Sequence, residues 1–262
     1  MLLHGNLASS DQWDLLMEHI PSDYTIYAPD LRGYGKSTYN NPITSFNDFA
    51  RDIKLFCDEL KLKSVHLIGW SNGGGVAMQF AANYPTQVKK LILLASISTR
   101  GFPAFNAEGD RMKRVEEFTS DPMINRMLDA QVKGERSFFG EAMNQLVYPR
   151  NKPEKVRFEK YIEGAMNQRN LIDVADAANR FNISAVSNGV SKGNRDIKKI
   201  IAPILVLSGK HDLMVPETMN LELINDMKAH HIHFDYKVLN TGHSPLVDDI
   251  NGVIKEISQF LM

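Results

Sequence analysis

The 262-residue chain lacks most of the features that would place it outside the ordinary globular class. Its single cysteine, Cys57, cannot form an internal disulfide, which excludes a disulfide-stapled scaffold and fits a reducing compartment. Neither sign of charge dominates: 30 Lys+Arg face 31 Asp+Glu, for a formal net charge of -1. Such a balance offers nucleic acid no basic footprint and leaves no acidic tail. No apolar run approaches the roughly 18 residues of a membrane span. The opening Met1-Leu2-Leu3-His4 lacks the charged lead and apolar stretch of a signal peptide. Repeats at periods of about 20–50 residues and low-complexity tracts are also missing. The expectation is a soluble, cytoplasmic globular protein of one or two domains, with enough chain for a sizeable core.

What is present is an alternation of short β-rich runs with helical patterns, the mark of an α/β protein with a parallel sheet. Residues 24–29, 64–70, 91–96, 203–208 and 234–239 read as strands. Ser10 is placed to cap a helix striped by Trp13, Leu16, Met17 and Ile20. Ser45 and Asp48 form a capping pattern ahead of Phe46, Phe49, Ile53, Phe56 and Leu60. A third helix, 72–84, stops at Pro85. Between the sheet segments 1–98 and 196–262, residues 99–195 carry broken helical patterns and no parallel-strand run. A structureless loop of that length is improbable, so the stretch reads as a helical cap over the sheet. Phe102, Phe105, Met123, Met127, Phe138, Phe139, Tyr148, Tyr161 and Phe181 are its candidate lining, or alternatively its own core.

The chemistry concentrates at Gly69-Trp70-Ser71-Asn72-Gly73, which follows a buried strand and opens a helix. A G-x-S-x-G turn there exposes the serine hydroxyl, and only small residues tolerate the crowding beside it. Gly74 and Gly75 extend the run, although each glycine costs a helix interior about 1 kcal/mol relative to alanine. Gly189-Val190-Ser191-Lys192-Gly193 matches the same pattern, but no buried strand precedes it, and it reads as a loop. A serine needs a base, and the base needs an orienting group. In sheets of this kind the order is Ser, then Asp or Glu, then His. Asp212 follows the 203–208 strand and His243 follows the last one, where strand ends face the crevice. Candidate oxyanion donors are the backbone N–H groups of Asn72 and of Asn6, in His4-Gly5-Asn6.

Other histidines and acids fit structural roles better. His66 reads as a core residue and His211 as part of a turn. His230, His231 and His233 lack the carboxylate or cysteine of a metal ligand set, so no metal site is expected. Asp248 and Asp249 suit a helix start. Gly35-Lys36-Ser37 lacks the first glycine of a P-loop, since position 30 is Asp30. Asn182-Ile183-Ser184 is a glycosylation triplet without a secretion signal.

With these residues in hand the chain resembles the α/β-hydrolase superfamily, in its serine-nucleophile, carboxylesterase- or lipase-like branch. The matching segments are His4-Gly5, Asp30-Leu31-Arg32-Gly33-Tyr34-Gly35-Lys36-Ser37, the turn at Ser71, Gly209 to Pro216 with Asp212, and Gly242-His243. The resemblance implies an eight-stranded, mostly parallel sheet, a helical cap after the sixth strand, and no cofactor. A serine at position 71 sets the chain apart from relatives with an aspartate nucleophile, such as haloalkane dehalogenases and soluble epoxide hydrolases. The Gly-Trp-Ser turn is also similar to that of bacterial intracellular polyhydroxyalkanoate depolymerases. In the family, two strands and most of a third precede the His-Gly loop, whereas this chain begins three residues before it. The first strands are therefore expected to be missing, Met1 to be an internal start or truncation, and residues 24–29 to form an uncovered apolar edge.

The function expected is hydrolysis of small-molecule carboxylic esters of short or medium acyl chain. Ser71, Asp212 and His243 are the expected triad. Trp70, Phe102, Phe138 and Phe139 are the expected substrate-binding residues. One alternative is an intracellular polyhydroxyalkanoate depolymerase or thioesterase. Another is a non-enzymatic ligand-binding or signalling module on the same scaffold.

Overall fold

A computed structural model describes all 262 residues. Five parallel strands form one sheet in the order of the chain: β1 (Leu2–Leu3), β2 (Val65–Trp70), β3 (Val88–Leu94), β4 (Ile204–Gly209) and β5 (Phe234–Leu239). Because side chains alternate across a strand, both faces of such a sheet must be apolar. Leu3, Leu67, Leu91, Leu93, Ile204 and Val206 point into one buried cluster. Leu2, Ile68, Ile92, Leu94, Leu205 and Leu207 point into another on the opposite face. Each fully buried leucine or isoleucine contributes about 1.5–3 kcal/mol from its removal from water.

The helices α1 (Asp14–His19), α2 (Phe46–Glu59) and α3 (Asn72–Asn83) precede or follow β2. Ser45 and Asp48 make the expected reciprocal capping box on α2. Phe46, Phe49 and Ile53 turn that helix into the first cluster. The N-terminal helix begins one residue earlier than its pattern suggests. Ser9, not Ser10, caps a short 3-10 turn that leads into α1, accepting a hydrogen bond from the Asp11 N–H. The Ser10 N–H is instead drawn to Asp30 Oδ1 at 2.7 Å.

Between β3 and β4 lie α4 (Val115–Thr119), α5 (Pro122–Lys133), α6 (Arg136–Leu146), α7 (Lys155–Met166) and α8 (Leu171–Arg180). This insertion has its own buried cluster, with Phe139, Met143, Tyr148, Tyr161 and Ile162. It is tied to the sheet-bearing part by Arg157, which pairs with Asp14 at 2.6 Å and Glu18 at 2.8 Å. The chain ends with α9 (Glu217–Ala229), α10 (Pro245–Asp248) and α11 (Ile250–Leu261). No helix is long and apolar enough to cross a membrane.

The sheet differs from the expectation at its β1 edge. Residues 24–29 form no strand, and the eight strands implied by resemblance are five. The segment runs beside β1, where the Leu2 N–H donates to the Tyr27 carbonyl at 2.8 Å. A two-residue strand can offer little more than that one rung, so the ladder does not propagate. An apolar groove of about 280 Å³ marks this edge, lined in part by Leu2, Tyr24, Ile26, Tyr27 and Val65.

Candidate active site

Ser71 sits between the end of β2 and the start of α3 with φ 56° and ψ -124°, a backbone geometry costly for any residue with a side chain. The neighbouring glycines make that turn possible. A Cβ on Gly69 would collide with the backbone of Gly73, and one on Gly73 would overlap the carbonyl oxygens of Leu3 and His4. The strand-to-helix turn therefore packs directly against β1, leaving the Ser71 hydroxyl at the carboxyl ends of the strands.

His243 follows β5 and Asp212 follows β4, and both swing toward Ser71. The His243 Nε2 lies 3.1 Å from Ser71 Oγ. Its Nδ1 lies 2.9 Å from one oxygen of Asp212 and 3.1 Å from the other. The imidazole and carboxylate are 4% and 1% exposed, so the pair is screened from water. Asp212 Oδ1 also accepts the N–H groups of Met214 and Val215, which fix the carboxylate plane. With Nδ1–H donating to a carboxylate, Nε2 is left as an acceptor for the serine proton.

Two contacts hold the His243 loop. Trp70 donates its indole N–H to the His243 carbonyl at 2.8 Å. Asp248 accepts from the Gly242 N–H at 2.6 Å and from the Asn151 N–H at 3.1 Å. Asp248 is thus more than a helix-start charge, since it locks the turn before His243 to the insertion. Asp249 does cap α11, accepting from Gly252.

The segment after β1 supplies Asn6. Neither its N–H nor that of Asn72 donates to any protein acceptor, and Asn6 lines the same cavity as Ser71 and His243. Two side chains fix this segment: Gln168, which nothing in the sequence singles out, and Tyr34, which lies in the matched Asp30–Ser37 stretch. Gln168, between α7 and α8, accepts from the Leu7 N–H and donates to Asn6 Oδ1, both at 2.8 Å. Tyr34 donates to the same Asn6 oxygen at 2.9 Å. Leu7 itself has φ 49°, so a second strained residue borders the cavity. His4 is fully buried, with Nδ1–H donating to the Gly5 carbonyl and Nε2 accepting from the Leu31 N–H. Burial holds its pKa below the usual histidine value.

The cavity measures about 240 Å³, below the roughly 300–1,000 Å³ of sites for drug-sized ligands. Its walls are largely apolar and come from both parts of the chain, including Trp70 and Met214 from one and Met127, Phe139 and Leu171 from the other. Of the four expected substrate-binding residues, Trp70 and Phe139 lie in the wall. Phe138 does not: adjacent on α6, it turns away to stack edge-on against Phe139, with the Arg126 guanidinium 4.4 Å above its ring. Successive helical side chains point about 100° apart, so only one of the pair can face the cavity. Phe102 is also displaced, packing against the main hydrophobic cluster at the entry to the insertion. Tyr148 and Tyr161 belong to the insertion's interior, Phe181 stacks on Phe46, and Phe105 and Met123 are exposed.

The remaining candidates fall elsewhere. His211 pairs with Asn240 in the turn after β4. His66 is half-buried on β2 beside Tyr24. Ser191 lies in a loop whose carbonyl is held by Asn188 and Asn182. No group of three or more His, Cys, Asp or Glu side chains converges in a geometry that could hold a metal.

A parallel sheet with a helical insertion and a strained serine facing a histidine–carboxylate pair defines the class. A family model of the alpha/beta hydrolase fold matches residues 1–250, and the chain belongs to that family. An AB hydrolase superfamily protein of Bacillus subtilis is 24% identical over 268 residues, covering 99% of this chain and 90% of its own. An uncharacterized protein of Mycobacterium tuberculosis is 34% identical over 96 residues, which span 37% of this chain and 28% of the relative. Among solved structures, an esterase from Exiguobacterium antarcticum superposes with a TM-score of 0.74 at 19% identity. The superposition covers 99% of this chain and 90% of the esterase, a likeness of fold.

Proposed function

We propose that the protein is a serine hydrolase of carboxylic esters with short or medium acyl chains. The observation that carries this reading is the line Ser71 Oγ, His243 Nε2, His243 Nδ1, Asp212, with separations of 3.1 and 2.9 Å, its serine and histidine in the wall of an apolar cavity. Ser71 attacks the acyl carbon while His243 takes its proton, and Asp212 stabilises the imidazolium that forms. The N–H groups of Asn6 and Asn72 receive the oxyanion. Collapse expels the alcohol, protonated by His243, and leaves an acyl-enzyme on Ser71. Water, deprotonated by the same imidazole, then releases the acid. Positioned acid–base catalysis supplies roughly 10²–10⁴ in rate, and each oxyanion donor roughly 10²–10³.

The small cavity favours short acyl chains, and the shared fold with an esterase is consistent with ester chemistry. Intact-mass measurement after fluorophosphonate treatment tests the reading. One adduct on the protein and none on Ser71→Ala is the expected result; no adduct on either overturns it. Turnover of p-nitrophenyl butyrate, 3-hydroxybutyrate oligomers and acyl-CoA, compared side by side, then separates esterase, polyester depolymerase and thioesterase.

A further inference from the structure

Seventeen residues line the Ser71 cavity and thirteen are hydrophobic. The four polar ones are Asn6, Gln12, Ser71 and His243. Ser71 and His243 face each other, and the Asn6 side-chain oxygen is already engaged by Tyr34 and Gln168. Gln12 alone has no assigned role. It is only 5% exposed, and its Oε1 has no hydrogen-bond partner. Its Nε2 makes one long contact, 3.4 Å to the Tyr148 hydroxyl. Five other buried side-chain polar atoms lack partners, on Trp13, His66, Gln87, Asn144 and Thr241, and none of these residues lines this cavity. A buried carboxamide with an unpaired oxygen in an apolar wall is a recognition group, because a ligand that satisfies it is favoured over one that does not.

We infer that Gln12 is a specificity-determining residue that hydrogen-bonds a hydroxyl group on the substrate, so that the preferred substrates are small esters bearing a hydroxyl in the buried arm. The inference rests on the proposed ester-hydrolase reading of the same cavity. A hydroxyl fits because it can donate to Oε1 or accept from Nε2, and so meets either end of the carboxamide. A charged substituent does not fit, because the lining contains no Lys, Arg, Asp or Glu to pair with it. A plain alkyl arm would leave the Gln12 oxygen unpaired.

Three esters and two variants test this. Wild type, Gln12→Leu and Gln12→Met are assayed on ethyl butyrate, ethyl 3-hydroxybutyrate and 2-hydroxyethyl butyrate. The two hydroxylated esters place the group in the acyl or the alcohol arm. The quantity read is the ratio of kcat/KM for each hydroxylated ester to that for ethyl butyrate, which cancels general losses of activity. For one of the two esters that ratio is expected to be about tenfold higher in wild type than in the apolar variants. Ratios that agree within about twofold across the three proteins overturn the assignment to Gln12. Fluorophosphonate labelling of Ser71, run in parallel, separates the two levels of the argument. Labelled proteins with unchanged ratios refute Gln12 alone, whereas a wild type that neither labels nor turns over any ester refutes both. Gln12→Met, unbranched and close in length, serves should the leucine variant fail to fold.

Discussion

Trp70 donates its indole N–H to the carbonyl of His243 at 2.8 Å, with the two rings 5.4 Å apart, so the residue before Ser71 holds the backbone of His243. The bond spans 173 positions of chain and ties the end of β2 to the loop after β5. Trp70→Phe keeps most of the ring and removes the donor. It leaves a buried carbonyl unpaired, at a cost of about 1–3 kcal/mol. The expected outcome is a drop in kcat of about tenfold with KM little changed, and a thermal midpoint lower by about 2–8 °C. Steady-state kinetics and a melting curve check both.

Asp212 orients His243 through Nδ1 and is itself held by two backbone N–H groups. Asp212→Asn preserves the shape but offers Nδ1 an amide that can present its own N–H. The imidazole then turns to the wrong tautomer, and kcat is expected to fall by roughly 10⁴. Fluorophosphonate labelling of Ser71 should slow in parallel, with the fold retained by circular dichroism.

Gln168 bridges the insertion to the segment carrying the candidate oxyanion donor, with bonds to the Leu7 N–H, to Asn6 and to Asn170. Gln168→Leu removes all three while keeping most of the side-chain volume. Labelling of Ser71 and ester turnover should both fall by roughly 10–100-fold, because one donor loses its position. An unchanged rate would mean that this segment is held by β1 and Tyr34 alone.

Burial holds the folded-state pKa of His4 below the ordinary 6.5 despite the opposing pull of the Gly5 carbonyl and Asp30, and only the neutral ring can accept the Leu31 N–H at Nε2. Above that value the ring is neutral in both folded and unfolded chains, and its contribution to stability is complete. As pH falls below 6.5 the unfolded chain takes up a proton that the folded one refuses, so stability declines toward the lowered pKa. His66, lowered by burial, acts with the same sign. The midpoint of thermal unfolding should therefore drop between about pH 7.5 and pH 5, with a shallower slope in His4→Gln, which can still accept from Leu31.

The sequence discloses those parts of the site that carry a local signature. The Ser71 turn is readable because a buried strand, a glycine-flanked serine and a helix start lie within a few residues, and close packing against Leu3 demands glycine at position 73. Asp212 and His243 follow from chain order and from their places after strands. Gln168 and Gln12 are invisible by the same logic, since each acts across well over a hundred residues and sits in no periodic pattern. Phe138 and Phe139 are equivalent in composition, and only the rotation of α6 decides which faces the cavity. Residues 24–29 have a strand-like pattern, but a strand exists only with a partner, and β1 supplies a single rung.

The proposed catalytic groups leave the sheet from the ends of β1, β2, β4 and β5, so the constellation spans its full width. Ser71 and His243 are 172 positions apart, and no shorter stretch of chain brings them together. A chain still emerging from the ribosome, or one refolded only at its N-terminal half, holds an exposed serine with nothing to activate it. The proposed activity therefore waits on β5 and the loop that carries His243, and its recovery on refolding becomes a clock for completion of the whole sheet.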